Sequence, residues 1–135
     1  TPHNDLISGE VSVGYMFTPF VLLAMDEMPN LKVVYPKEGM GFGIDSLVIS
    51  ASAPHPDNAH VLLNFLLDSQ VAGNTAAMQY YLSPVATAYE FIPEYLRDNP
   101  AIRIPPEILG ETEFIMDLGE YESKYQEIWA EFKLQ

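Results

Sequence analysis

Three short apolar runs, separated by breakers and interleaved with helix patterns, constrain the fold of this chain more than any other feature. Glu10 to Met16 alternates Val11, Val13 and Tyr15 against Ser12 and Gly14, the period-two pattern of a half-covered strand. Leu31 to Tyr35 is apolar nearly throughout, as a strand covered on both faces would be. Ser46 to Ser50, Ser-Leu-Val-Ile-Ser, predicts a third. Between the first two lies Thr18-Pro19, a helix start. The threonine oxygen can cap free N–H groups, and proline in the first turn loses no hydrogen bond. Phe20 to Met28 is the expected helix, stopped by Pro29-Asn30. The order is therefore βαβ, a breaker-rich crossing over Pro36 to Gly43, then a third strand.

The rest reads as helix. Pro54-His55-Pro56 ends the third strand, and Asp57 is the expected cap of a helix burying Val61, Leu62, Phe65 and Leu66. Ser69 opens a small-residue helix through Tyr80 that should pack closely against a neighbour. After Ser83-Pro84 come short helical pieces over Ala86 to Ile92 and Pro93 to Asp98. Pro100 to Gly110, with three prolines, predicts an extended connector. Leu118 to Phe132 is amphipathic, with Tyr121, Tyr125, Ile128 and Phe132 on one face and a Glu120–Lys124 pair on the other. The class is α/β, but three strands are a thin sheet for so many helices.

Charge narrows the function. Nineteen acidic against six basic residues give a net charge of −13 in 135 residues. Binding a nucleic-acid backbone or an anionic lipid surface needs clustered Lys and Arg, so no nucleic-acid partner is expected. A cationic ligand fits the charge, as does a merely soluble acidic surface. There is no cysteine, which excludes thiolate metal sites, disulfides and cysteine nucleophiles. His55 and His60 are five apart, on different sides of a helix, and His3 is remote, so no metal or other cofactor is expected. No nucleophile motif occurs, and Gly39, Gly41 and Gly43 lack the spacing of a phosphate cradle. No apolar run could span a membrane. The opening Thr-Pro-His-Asn-Asp has neither the basic nor the apolar segment of a secretory leader, so none is expected within these residues. Asp26 and Glu27 end a helix, where the macrodipole disfavours carboxylates. Asp45 stands at the mouth of a strand after the glycine-rich crossing. It is either a turn aspartate or a carboxylate facing a crevice, able to receive an ammonium group.

Several of these segments carry a resemblance. Ser8-Gly9-Glu10-Val11, Val13-Gly14-Tyr15, Phe17, Val33-Val34-Tyr35-Pro36-Lys37-Glu38-Gly39, Asp45-Ser46-Leu47 and Asn64-Phe65-Leu66-Leu67 closely resemble the C-terminal part of bacterial spermidine/putrescine-binding proteins, receptors of polyamine ABC importers. The resemblance runs from about residue 5 to 133. It implies a periplasmic-binding-protein type II-like α/β fold, here a C-terminal fragment containing parts of both lobes. Residues 1–43 would belong to the second lobe and 44–113 to the first, with 114–135 a C-terminal helix returning to the second. It implies that Asp45 salt-bridges a polyamine ammonium and that Phe17 lines the cleft against the methylenes. Gly43 stands where the family tends to have a second tryptophan, and Ile115 where it has a hydrogen-bonding glutamine, so the ligand's length or affinity should differ.

The implied protein is a receptor and not an enzyme, with a membrane permease as partner. Its location would be periplasmic or otherwise extracytoplasmic, a cell-surface lipoprotein included. The chain would expose strand edges and helix faces unless it pairs with the N-terminal portion of the receptor or exchanges elements with a second copy. The rival readings are a receptor for another small organic cation or solute, a paired-carboxylate enzyme such as a glycoside hydrolase, and a protein-interaction module with no small ligand.

Overall fold

The computed structural model describes residues 1–134. Helix is frequent and strand scarce. The elements are α1 (Pro2–Ile7), α2 (Thr18–Glu27), β1 (Gly41–Phe42), α3 (Pro56–Leu66), α4 (Ser69–Gln79), a 3-10 helix (Ala86–Phe91), α5 (Glu94–Arg97), α6 (Pro106–Leu109), β2 (Glu113–Phe114), a 3-10 turn (Gly119–Tyr121) and α7 (Glu122–Lys133).

The three expected strands are not strands here. Glu10 to Met16, Leu31 to Tyr35 and Ser46 to Ser50 carry no sheet hydrogen bonding. An extended run becomes a strand only when a neighbour accepts and donates its backbone bonds, and these runs have no such neighbour among the described residues. Leu31, Val33 and Tyr35 are nonetheless half-buried while Lys32 and Val34 are exposed, the alternation of a pleated chain on one surface. The sheet that exists is a parallel pair, Gly41 opposite Glu113 and Phe42 opposite Phe114. Glu113 N–H donates to Met40 O at 3.0 Å and Ile115 N–H to Phe42 O at 2.9 Å. The Phe42 and Phe114 rings meet edge to face at 5.7 Å.

The helices stand close to where the pattern puts them, with three caps reassigned. Phe17, not Thr18, is the N-cap of α2. Its carbonyl accepts from Phe20 and Val21, and Pro19 sits in the first turn, where its missing N–H costs nothing. His55 precedes α3, and Asp57 lies in its first turn, favourable to the helix dipole without capping. Asp68 Oδ1 caps α4, accepting from Gln70 N–H at 3.0 Å and Val71 N–H at 3.1 Å. Ser69 is thereby freed, and its hydroxyl meets that of Thr87 at 2.5 Å. The proline connector contains a helical turn, α6, because two consecutive prolines supply its start. The first helix, α1, has no counterpart in the sequence reading; it lays Leu6 into a buried position, and His3 stacks on Phe20 of α2 at 5.0 Å.

The core gathers around α2 and α4. Leu22, Ala76, Ile92, Leu96, Ala101 and Ile102 form one buried cluster, with Val21, Val33, Tyr80, Leu82 and Tyr89 packed on it. Close approach is made by small residues: Gly73 of α4 lies so near Ala88 that a Cβ there would stand 2.5 Å from the Ala88 carbonyl oxygen. The apolar stripes expected to be buried on α3 and α7 are open. Val61, Leu62 and Phe65 are exposed, and so are Tyr121, Tyr125, Ile128 and Phe132. Neither helix has a buried residue, because no element lies across its apolar face. Glu120 and Lys124 do not pair. Among the described residues the ion pairs are the N-terminal amine with Asp5, and Arg103 with Asp98.

The total accessible surface is 10851 Å², against about 7,100 Å² for a compact monomer of this mass. The chain thus carries on the order of 3,700 Å² more surface than a self-contained domain would.

Candidate functional site

The site is assembled at the mouth of the two-stranded sheet. β1 ends at Phe42, so Gly43, Ile44 and Asp45 leave its carboxyl end in sequence. β2 runs beside it in the same direction and delivers Ile115 to the same end. In parallel α/β architecture this is the end at which ligands are bound, because chain departing from strand termini leaves a crevice. The run from Glu10 to Phe17 passes alongside: a Cβ added at Gly41 would stand 3.5 Å from Ile115 Cγ1 and 3.7 Å from the Tyr15 hydroxyl.

The two positions at which the sequence departs from the resemblance are neighbours in space. A Cβ added at Gly43 would meet Ile115 Cδ1 at 3.7 Å, an ordinary van der Waals distance. Where Gly43 offers no side chain, the Ile115 methyl occupies the adjoining space, and both sides of this corner are apolar and small. A large ring or an amide at these positions would narrow it and add a hydrogen-bonding group; their absence leaves shape and charge to other residues.

Asp45 is exposed, and its carboxylate makes none of the hydrogen bonds or ion pairs found among the described residues. It is two residues beyond Gly43, free to accept from a cation. Phe17 is 64% exposed, fixed by its place as the N-cap of α2. It is two residues beyond Tyr15 in sequence. Reading the sequence placed Tyr15 in the alternating run without setting it beside Gly41, a neighbour that only the structure supplies. The structure joins Tyr15, Gly41, Gly43 and Ile115 by contact distances. Phe17 and Asp45 adjoin that group along the chain rather than through a contact of their own.

Two hollows lie elsewhere. One, of about 300 Å³, is lined by Tyr89, Arg97, Asp98, Ile102 and Arg103. The other, of about 320 Å³, is the apolar face of α7, with Tyr125, Ile128, Trp129 and Phe132. Neither includes Asp45 or Phe17. No group of His, Asp or Glu side chains is arranged to hold a metal ion among the described residues. No helix among them is long and apolar enough to cross a membrane.

Away from the sheet, Asp26 has a partner. The Tyr80 hydroxyl donates to Asp26 Oδ2 at 2.5 Å. That hydrogen bond, then burial and the Asp26 charge, with a smaller contribution from Tyr95, push the Tyr80 phenol up to about 12. Burial also raises Tyr35, whose hydroxyl donates to the Pro100 carbonyl.

No family model matches the chain. Curated proteins do. Over 134 residues it is 36% identical to the spermidine/putrescine-binding periplasmic protein 1 of Haemophilus influenzae, covering 96% of this chain and 37% of that protein. It is 30% identical over 132 residues to the spermidine/putrescine-binding periplasmic protein of Escherichia coli, covering 98% of this chain and 38% of the relative. A putrescine/agmatine-binding protein of Pseudomonas aeruginosa is 26% identical over 113 residues. The chain therefore spans less than two-fifths of the length of the relatives it matches.

Proposed function

We propose that this chain is the C-terminal part of a polyamine receptor, one that holds spermidine, putrescine or a related amine in a cleft between two α/β lobes and presents it to an ABC-type permease. The observation carrying the proposal is similarity along 96% of the chain to a spermidine/putrescine-binding periplasmic protein. The location that goes with it is the periplasm or its extracytoplasmic equivalent. The role in this reading is binding without turnover, supported by relatives that are named as binding proteins.

In this reading Asp45 receives an ammonium group in a charge-assisted hydrogen bond. Phe17 lies along the methylene stem and contributes through ring-face attraction for the cation and through apolar contact. The flat corner at Gly43 and Ile115 supplies no hydrogen bond, which favours a ligand whose polar groups sit at its ends. The type II periplasmic-binding fold would assign residues 1–43 and 114–135 to the second lobe and 44–113 to the first.

The excess surface supports an incomplete body. About 3,700 Å² on one chain is more than four times the roughly 800 Å² that each partner buries in a standard interface, and it includes the apolar faces of α3 and α7 and the unpaired extended runs. The N-terminal portion of the receptor is the occupant we assign to it, with exchange of elements between two copies as the alternative.

The test is calorimetric titration of spermidine and putrescine into this chain joined to its N-terminal portion. Asp45→Ala should weaken binding by about 1.5–3 kcal/mol, roughly 10- to 150-fold. Unchanged affinity removes Asp45 from the site. A receptor for another organic cation would bind that cation while ignoring polyamines. A protein-interaction module would show no shift of melting temperature with any amine.

A further inference from the structure

Both arginines of the chain, Arg97 and Arg103, line one hollow of about 300 Å³, together with Tyr89, Asp98 and Ile102. The other four cations, Lys32, Lys37, Lys124 and Lys133, lie elsewhere in a sequence of net charge −13. Two guanidinium groups in one place make this hollow a cationic island on an acidic chain.

The hollow stands on fixed backbone. Arg97 ends α5, and its N–H donates to the Pro93 carbonyl at 2.9 Å. Asn99 organises the turn that follows. Its carbonyl accepts from the Ile102 and Arg103 N–H groups at 2.9 and 2.8 Å, and its side-chain oxygen accepts from Ala101 N–H at 2.9 Å. Ala101 and Ile102 are thereby set into the core, both buried. Tyr89 is held through its hydroxyl, which donates to the Ser83 carbonyl at 3.3 Å.

The charges inside are unevenly matched. Arg103 Nη1 meets Asp98 Oδ1 at 3.0 Å, so the one carboxylate of the hollow is engaged. The Arg97 side chain is half-buried and forms no ion pair among the described residues. A guanidinium so placed can grip a carboxylate with two parallel N–H bonds. The surroundings select the anion. Glu90 and Glu94 are exposed on the 3-10 helix and α5. With Asp98 they repel a phosphate dianion or a flat anionic membrane, and they leave room for one negative charge on a projecting side chain. None of the five lining residues belongs to α3, α7 or the extended runs given to the N-terminal portion. All five fall within residues 44–113, so a lobe that moves as a whole carries the hollow intact.

We propose that Arg97, kept free because Arg103 takes Asp98, docks the carboxylate of an aspartate or glutamate projecting from a protein partner. That this partner is the membrane permease rests on the receptor reading. The acidic remainder of the surface would then hold the partner's acidic segment away from other approaches, giving the encounter one orientation.

The test is binding of the complete receptor, this chain joined to its N-terminal portion, to the permease complex in lipid nanodiscs. Arg97→Ala should weaken docking at least about tenfold and flatten its dependence on salt. Arg103→Ala frees Asp98 to turn to Arg97 and should weaken docking in the same direction; adding Asp98→Ala should restore it to within about threefold of the parent. Lys32→Ala removes the same unit charge outside the hollow and should change nothing. Docking indifferent to Arg97, an equal loss with Lys32→Ala, no rescue by Asp98→Ala, or no docking of the parent would each overturn the proposal. So would saturation of the Arg97 guanidinium resonance by acetate or inorganic phosphate below about 1 mM, the mark of a small-anion pocket. Spermidine calorimetry on the parent reads the receptor assignment separately, and the affinity should be the same in every variant.

Discussion

Gly73→Ala is a change for which local propensity and tertiary packing predict opposite signs. In an exposed helix interior, replacing glycine by alanine stabilises by about 1 kcal/mol, because alanine has less backbone freedom to lose. Gly73 lies in the second turn of α4, and its missing side chain is where the 3-10 helix passes. An added Cβ would stand 2.5 Å from the Ala88 carbonyl oxygen and 2.7 Å from Phe91 Cβ. Neither is the far end of a flexible side chain, so relief needs the two helices to part. Ala88 is fully buried and Ala72 and Ala76 nearly so, which makes parting open gaps between the two helices. Overpacking costs about 1–3 kcal/mol, and two simultaneous backbone-level overlaps put this site near the upper figure. Subtracting the propensity gain leaves a net loss of about 2 kcal/mol. For a chain of this size that lowers the melting temperature by about 7 °C. Urea denaturation followed by far-ultraviolet circular dichroism reads it directly, with Gly43→Ala as the control, since its nearest contact is an ordinary 3.7 Å. A Gly73→Ala variant as stable as the parent, or more so, would refute the close-packing argument.

Further outcomes are expected on the same grounds. Asp68→Ala leaves the Gln70 and Val71 N–H groups without their acceptor and should cost about 1 kcal/mol in the same denaturation assay. Tyr80 should ionise near pH 12 against its ordinary 10.0, read as phenolate absorbance missing in Tyr80→Phe. The folded value lies above the unfolded one, so the stabilisation is complete below pH 10 and is lost as pH rises from about 10 to about 12. Tyr80→Phe should flatten that part of the stability profile. Light scattering after size-exclusion chromatography should find the isolated chain self-associated, and monodisperse when its N-terminal portion is supplied. A stable lone monomer would contradict the proposal that its apolar faces need an occupant.

What the sequence disclosed and what it withheld divide along physical lines. Helices α2, α3, α4 and α7 were legible because their hydrogen bonds are internal, and periodicity and breakers report on them. Caps slipped by a residue where two suitable side chains adjoin: Asp68 accepts from two backbone N–H groups, and Ser69 next to it is used elsewhere. Helix α1 escaped notice because six residues give no stripe, although Thr1-Pro2 repeats the Thr18-Pro19 start and Asp5 sits in its first turn. The strands failed for a different reason. Val13 and Val48 have the right chemistry, but pairing belongs to two segments at once, and no segment among the described residues supplies the second. The short pairing that did form, Gly41–Phe42 with Glu113–Phe114, lay within a breaker stretch and after a proline connector, where local pattern carries no signal. At the candidate site, motif and resemblance singled out Asp45 and Phe17. The adjacency of Gly43 and Ile115, far apart in sequence, needed three-dimensional placement.

The hydrogen bonds that Tyr80 and Tyr35 make across the sequence also set how this chain must fold in time. Helices α3 and α4 close locally, but joining Asp26 to Tyr80 or Tyr35 to Pro100 first requires loops of 54 and 65 residues to close. That search is entropic and is not rewarded until the ends meet, so it governs the rate far more than the stability. Doubling the intervening chain would cost only about 0.6 kcal/mol. Insertions between Pro36 and Pro54 should therefore leave these contacts nearly as stable while slowing their formation.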